Sequence, residues 1–128
     1  MSIILAGVSH HTTPLEVRER FYFPEGDMPE WLDHMSRFPS VSERVILSTC
    51  NRVELYGWAE SYEQGVHAIY DFLKESRGLR QDELVDHLYI QRDEEATRHL
   101  FRVASSLESM VLGEPQILGQ VKEAYRVA

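Results

Sequence analysis

The chain has 128 residues, of which 43% are hydrophobic and 27% charged, a balance typical of one folded domain. Its net charge of −8 argues against broad, charge-driven binding to nucleic acid. A single cysteine excludes an internal disulfide and a cysteine-rich zinc site, and it favours a reducing, cytoplasmic location. No apolar run approaches the roughly 18 residues of a membrane span, so we expect no membrane association.

The first third of the chain predicts one strand and two short helices. Residues 3–8 form an apolar run that is typical of a buried strand. Thr13, with a proline and a glutamate after it, predicts a capping box for a helix over 14–20. A second capping box at Asp27 predicts a helix that ends before Pro39. The apolar positions of this second helix recur at helical spacing, so we assign them to the core.

The middle of the chain predicts a pair of strands and a long helix. Two β-prone runs, 45–47 and 53–56, flank a short polar segment that holds Cys50. Such a segment is typical of a hairpin or another tight connection between strands. A third capping box at Ser61 predicts a helix that Gly78 ends.

The order of these elements predicts the fold class. After a helical turn over 81–86 and a fourth strand over 88–90, the order is strand, helix, strand, strand, helix, strand. This is the order of an α+β, ferredoxin-like domain, in which helices cover one face of an antiparallel sheet. We assign this core to residues 1–92. Residues 93–128 then form a helical extension that completes the domain, and its last helix begins at Pro115.

Cys50 has two interpretations from its surroundings. A lone cysteine is usually a small, buried and inert hydrophobic residue. A cysteine beside a turn can instead reach a substrate, and Arg52 nearby favours the thiolate, which is the nucleophilic form. The spacing of the residues leaves both interpretations open.

The histidines carry weaker signals. His10 and His11 have no Cys, Asp or Glu at ligand spacing beside them, so a zinc hydrolase lacks its ligand set. We interpret both as loop residues with hydrogen-bonding roles. His99 lies beside the apolar stripe of a helix predicted over 93–104, where a structural hydrogen bond is the usual role.

Gln116 and Gln120 lie one turn apart on the last predicted helix. Amides in such positions are usually solvated, but they can equally hold the carboxylate and amino groups of a small polar ligand. The helix has no stop signal before Ala128, which predicts that the chain is the N-terminal part of a longer protein. None of the seven glycines forms a G-x-G-x-x-G or P-loop pattern, so we find no nucleotide-binding motif.

Three long motifs occur in order along the chain. The first is G-V-S-H-H-T-T-P-L-E-V-R-E at 7–19, and the second is L-S-T-C-N-R-V-E-L-Y at 47–56. The third consists of His99 and S-S-L-E-S-M-V-L-G-E-P-Q-I-L-G-Q-V-K at 105–122. Together they resemble the N-terminal catalytic domain of the glutamyl-tRNA reductase family, and no motif position departs from the family's pattern.

The resemblance implies roles for residues of these motifs. Cys50 is expected to be the nucleophile that takes the glutamyl group of glutamyl-tRNA as a thioester. His99 is expected to activate the thiol or to assist the leaving group, in place of the structural role that its position suggests. The family's substrate-binding positions fall on Thr49, Asn51, Arg52, Ser109, Glu114, Pro115, Gln116 and Gln120.

The resemblance also implies the wider reaction. Such an oxidoreductase reduces the thioester with NADPH to glutamate-1-semialdehyde, the first step of the five-carbon route to tetrapyrroles (porphyrins). The family binds NADPH in a Rossmann domain and forms homodimers through a helical domain, and neither is recognisable in this chain. The downstream glutamate-1-semialdehyde aminomutase is a further expected partner. We therefore expect the chain alone to show at most acyl-transfer or esterase activity.

A binding module is the alternative to an enzyme. A ferredoxin-like domain of this size also suits an ACT-like sensor that binds an amino acid without chemistry. In that case Cys50 is incidental, and the polar face of the last helix binds the ligand. Tolerance of Cys50→Ser would distinguish the sensor from the enzyme.

Overall fold

A computed structural model of the protein describes residues 2–49 and 51–104. No helix within these two ranges is long and apolar enough to cross a membrane. The predicted order of elements is confirmed, and the predicted helical turn after the long helix is a short helix. The elements are β1 (Ser2–Ser9), α1 (Leu15–Phe21), a 3-10 helix (Glu25–Asp27), α2 (Met28–Met35), β2 (Glu43–Ser48), β3 (Arg52–Ala59), α3 (Tyr62–Arg77), α4 (Gln81–His87), β4 (Tyr89–Arg92) and α5 (Asp93–Ala104).

The four strands form one antiparallel sheet in the order β2-β3-β1-β4. β1 and β3 pair over their whole lengths at the centre, from Ser2 opposite Ala59 to Ser9 opposite Arg52. Because each central strand has a partner on both sides, its backbone groups are paired and both of its faces can be buried. The strand order and directions are those of the ferredoxin-like fold, so the predicted fold class is confirmed.

The larger core lies between the sheet and helices α1 to α4. Ile4 and Val8 of β1 and Leu55 of β3 face this side, where they pack with Ile69 and Phe72 of α3. All five are at most 1% exposed. Burial of each such side chain stabilises the fold by about 1.5–3 kcal/mol.

Helix α5 covers the opposite face of the sheet. The strand residues that face it alternate with those of the larger core, since successive side chains of a strand point to opposite sides. Leu5 and Tyr56 pack there with Ala96 of α5. Leu47 of β2 packs with Val103, the penultimate residue of α5. The start of the predicted helical extension is therefore an integral part of the domain, and it gives the sheet a second core.

Two predicted capping boxes are wrong, although both helices begin within one residue of their predicted starts. Pro14, not Thr13, is the N-cap of α1, and no side chain caps this helix. Asp27 ends the 3-10 helix and is the N-cap of α2, as predicted, but its side chain makes no capping hydrogen bond. Helix α2 also ends earlier than predicted, at Met35 rather than just before Pro39.

The boundaries of α3 are confirmed. Ser61 is the N-cap, and its Oγ accepts a hydrogen bond from the backbone N of Gln64 at 3.3 Å. Gly78 ends the helix with φ of 65°, in the left-handed region that glycine adopts at little cost. Both signals act within a few residues of the helix end, so the sequence alone is sufficient to predict them.

Asp93 makes the turn between β4 and α5, which follow each other without a connecting loop. Its φ of 52° lies in the left-handed region that glycine, asparagine and aspartate adopt most readily. Its Oδ1 accepts a hydrogen bond from the backbone N of Ile3 at 3.1 Å. The first residue of α5 is thus fixed to the start of β1.

Replacement of Asp93 by alanine should lower the free energy of unfolding by about 1–2 kcal/mol. Alanine disfavours the left-handed backbone and has no acceptor for the amide of Ile3. Asp93→Asn is the matched control, because asparagine keeps both properties, and it should stay within about 0.5 kcal/mol of the parent. Urea unfolding measures both. An equal loss in the two variants would mean that the charge of Asp93, rather than its turn, stabilises the domain.

Candidate active site

Thr49 organises the connection between β2 and β3. Its Oγ1 accepts hydrogen bonds from the backbone N of Asn51 and of Arg52, each at 3.1 Å. Its own backbone N donates to the carbonyl of Arg52 at 2.8 Å. The carbonyl of Asn51 accepts from the backbone N of His10 at 2.7 Å, which ties the connection to the end of β1. The tight connection predicted here is confirmed, and the Thr49 hydroxyl is used by the turn itself.

Four of the predicted site residues lie in the described part of the chain. Thr49, Asn51 and Arg52 lie in or beside the β2–β3 connection, whereas His99 lies on α5. Arg52 and His99 come together at one carboxylate, that of Glu54. The other predictions lie outside the described residues; they concern Cys50, Ser109, Glu114, Pro115, Gln116 and Gln120.

Glu54 is the centre of a buried polar network on the face covered by α5. Its side chain has no exposed surface. His99 Nε2 lies 2.5 Å from Oε2, and Arg52 Nη1 lies 3.6 Å from the same oxygen. The hydroxyl of Tyr89 donates to Oε2 at 2.5 Å, and that of Tyr56 donates to Oε1 at 2.9 Å. Both carboxylate oxygens therefore have partners, as a buried charge requires.

The network keeps Glu54 ionised. Burial by itself raises the pKa of this carboxyl, since it disfavours the charged form. The hydrogen bond of His99, its charge when the ring is protonated, the hydrogen bond of Tyr89 and the charge of Arg52 outweigh burial and hold the pKa of Glu54 below its usual value. Burial, followed by the neighbouring Glu54 charge, raises the pKa of Tyr56 and of Tyr89. Both phenols therefore remain hydrogen-bond donors.

Glu54 also determines which nitrogen of His99 carries the proton. An ionised carboxylate only accepts hydrogen bonds, so His99 Nε2 must be the donor. In the neutral ring Nδ1 is then an acceptor. A histidine held in this way can take a proton at Nδ1, and the carboxylate behind it stabilises the imidazolium that results. The pair is thus suited to general acid–base chemistry.

Gly7 makes room for the carboxylate. It stands opposite Glu54 of β3 on one side and opposite Tyr89 of β4 on the other, so the three residues form one row across the sheet. A Cβ at position 7 would lie 2.9 Å from Cγ of Glu54 and 2.7 Å from the carbonyl oxygen of Val53. The missing side chain lets Tyr89 and Glu54 meet across β1.

His10 lies at the end of β1, beside the connection. Both nitrogens of its ring are buried, and neither has a hydrogen-bond partner among the described residues. Burial, with the charges of His11, Arg52 and Arg18, lowers its pKa despite the opposing effect of the Asn51 carbonyl. The backbone N of His10 has the predicted hydrogen-bonding role. No cluster of three or more potential metal ligands occurs within residues 2–49 and 51–104.

Four residues of the network have no role predicted from the sequence: Gly7, Glu54, Tyr56 and Tyr89. A usable signal exists for two of them, since Arg52, Glu54 and Tyr56 alternate with apolar residues and so share one face of a strand. A charge on a central strand is rarely buried without partners. The alternation therefore indicates a polar network, but it does not show that β4 and α5 supply the remaining members.

The sequence matches the family model for the "Glutamyl-tRNAGlu reductase, N-terminal domain" over residues 6–128. The chain belongs to this family. The glutamyl-tRNA reductase of Syntrophotalea carbinolica is 49% identical over 128 residues, which are 100% of this chain and 29% of that protein. That of Desulfatibacillum aliphaticivorans is 44% identical over 128 residues, 100% of this chain and 30% of that protein.

A solved structure gives the same result. Glutamyl-tRNA reductase from Methanopyrus kandleri matches with a TM-score of 0.73 and 36% identity, over 98% of this chain and 28% of that one. The resemblance carried by the three motifs is therefore confirmed. The chain spans less than a third of the length of these relatives.

Gly7→Ala should displace Glu54 from Tyr89 and His99. The added methyl group meets backbone as well as side chain, so the free energy of unfolding should fall by about 2–3 kcal/mol. Gly26→Ala is the matched control, since nothing lies within 4 Å of its added Cβ. Urea unfolding of both variants measures the difference. Equal stabilities would mean that β1 and β3 separate at little cost and that the close approach is not a constraint.

Glu54→Gln should reveal the contribution of the charge through its pH dependence. Because folding lowers the pKa of Glu54 from its ordinary 4.5, ionised Glu54 stabilises the fold above that pH, and the effect is lost as the pH falls through the lower folded value. We expect the free energy of unfolding of the parent to exceed that of the variant by about 2 kcal/mol at pH 7. This difference should become smaller below about pH 4. Urea unfolding between pH 7 and pH 3 measures it. Glu60→Gln, at an exposed position, should show no such difference from the parent. If the difference in free energy of unfolding between the parent and Glu54→Gln did not change with pH, the lowered pKa assigned to Glu54 would be contradicted.

Proposed function

We propose that this chain is the acyl-transfer domain of an NADPH-dependent glutamyl-tRNA reductase, in which Cys50 takes the glutamyl group as a thioester. The observation that carries the proposal is the buried pair of His99 Nε2 and Glu54 Oε2, 2.5 Å apart. The chain's only cysteine, Cys50, is two residues before Arg52 in the sequence, and the guanidinium of Arg52 lies beside Glu54. The names of the relatives supply the substrate, glutamyl-tRNA.

The acyl transfer uses the histidine twice. A thiol with an ordinary pKa near 8.5 is mostly protonated at neutral pH and needs a base. His99 Nδ1 takes the proton of Cys50 while Glu54 holds Nε2–H. The sulfur then bonds to the ester carbonyl carbon, and the bond from that carbon to the ribose oxygen of the tRNA breaks. The imidazolium returns its proton to that oxygen, which leaves as a hydroxyl group and frees the tRNA.

Arg52 is suited to holding a carboxylate of the substrate. Its guanidinium carries five donors in a fixed fork. The side chain is 1% exposed, and the charge of Glu54 lies 3.6 Å away, so its direction is set before a substrate arrives. The remaining substrate-binding roles follow the family motifs, at Thr49, Asn51, Ser109, Glu114, Pro115, Gln116 and Gln120.

NADPH supplies the hydride that converts the thioester to glutamate-1-semialdehyde for tetrapyrrole synthesis. The residues of this chain do not fit that cofactor, because none of the seven glycines forms a dinucleotide-binding pattern. We assign NADPH binding, homodimerisation and any contact with the downstream aminomutase to parts of the relatives beyond the matched segment, in a cytoplasmic enzyme. This chain alone then performs acyl transfer and slow thioester hydrolysis, without reduction.

Acid-quenched mass spectrometry after mixing with glutamyl-tRNA tests the acyl transfer. The parent should carry a glutamyl adduct on the Cys50 peptide, and Cys50→Ser should carry none. His99→Asn should slow adduct formation by about 100-fold or more, as expected for loss of a general base. His67→Asn is the matched control, because His67 is exposed on α3, and it should keep the parent rate.

Several outcomes would contradict parts of the proposal. An adduct in Cys50→Ser, or an unchanged rate in His99→Asn, would exclude the assigned roles. Acylation by valyl-tRNA at the glutamyl rate would exclude a site built on polar pairings, which rejects groups that leave its donors unpaired. Semialdehyde formation by the purified chain with NADPH would refute the division between acyl transfer and reduction. Glutamate binding by both parent and Cys50→Ser, without an adduct, would favour an amino-acid sensor.

A further inference from the structure

Two phenols hold Glu54 from different strands. Tyr56 lies two residues along β3 on the same face, and its hydroxyl donates to Oε1 at 2.9 Å. Tyr89 lies on β4, and its hydroxyl donates to Oε2 at 2.5 Å across the gap that Gly7 leaves. The carboxylate is therefore held at both oxygens. It cannot rotate about its Cγ–Cδ bond without breaking one of these hydrogen bonds.

The direction of Oε2 matters because the same oxygen faces His99 Nε2 at 2.5 Å. The terminal torsion of a glutamate is broad, so burial alone does not fix the plane of its carboxylate. Arg52 Nη1 is too distant from Oε2, at 3.6 Å, for a hydrogen bond between these two atoms, and it contributes charge more than direction. The charged and titratable groups that face Glu54 are Arg52 and Tyr56 of β3, Tyr89 of β4 and His99 of α5.

We propose that Tyr89 and Tyr56 are positioning residues for His99. By holding both oxygens of Glu54, they keep Oε2 directed at His99 Nε2, and Nδ1 remains the acceptor of the ring. The value of this arrangement for catalysis rests on the proposed acyl transfer, whereas the positioning itself does not. Both rings also pack in the core under α5. Phenylalanine fills that space equally well, so the hydroxyl groups are the part to be tested.

Long-range ¹H–¹⁵N NMR of the His99 ring tests the positioning without any substrate. The parent should show the Nε2–H tautomer alone. In the Tyr56→Phe/Tyr89→Phe double variant, a second population with Nδ1–H should appear. The pKa of Glu54 should also rise, because its charged form loses two hydrogen bonds, and ¹³C NMR of its carboxyl carbon measures this shift. Tyr22→Phe, at an exposed position, is the matched control and should change neither signal.

The rate of Cys50 acylation by glutamyl-tRNA gives the functional consequence. Tyr89→Phe should lower this rate about tenfold, the lower end of the loss found when a partner that orients a metal-binding histidine is removed. Tyr22→Phe should leave it unchanged. Urea unfolding of each variant confirms that it is folded under the assay conditions. Should the double variant fail to fold, Tyr89→Phe alone carries both measurements.

The two measurements separate this inference from the proposed function. A folded variant that keeps a single His99 tautomer and an unchanged Glu54 pKa overturns the positioning, whatever the acylation shows. A shifted tautomer in the variant, with no acylation of the parent, refutes the proposed function and leaves the positioning intact. A shifted tautomer with slower acylation supports both.

Discussion

The buried charge of Glu54 is the constraint on which one face of the sheet depends. A carboxylate without exposed surface is strongly destabilising unless charges and hydrogen bonds surround it. Its partners come from three elements: Arg52 from the same strand, Tyr89 from β4 and His99 from α5. The charge is therefore satisfied only when β4 and α5 have docked. Other placements of β4 and α5 that satisfy the apolar contacts would leave the carboxylate of Glu54 unpaired. The free-energy cost of that unpaired charge therefore favours the observed placement.

Helix α5 is held by apolar contacts along its length and by polar contacts in its first two turns. Ala96 and Val103 pack against the sheet, and Asp93 fixes the first residue of the helix to β1. His99 then closes the network at Glu54. The larger core, between the sheet and α1 to α4, is built of apolar side chains. One face of the sheet thus supplies most of the apolar stabilisation, and the other supplies the chemistry.

Arg52 connects the two parts of the candidate site. Its backbone N donates to Thr49 in the turn, while its guanidinium lies beside Glu54. The covalent neighbours of Cys50 and the histidine network are therefore joined through a single residue. Groups fixed in this way need little rearrangement when a substrate binds, which is the main advantage of a preorganised site.

The sequence by itself determined the order of the elements, the ends of α3 and the family, because these depend on local signals and on long motifs. Ser61 and Gly78 act within a few residues of a helix end, whereas the side chains of Thr13 and Asp27 do not make the predicted capping hydrogen bonds. The motifs also singled out His99. Only the tertiary structure decided that its partner is Glu54 and that Tyr89 reaches this carboxylate across Gly7. Strand register and the docking of α5 bring together residues far apart in the chain, and no local pattern records that register.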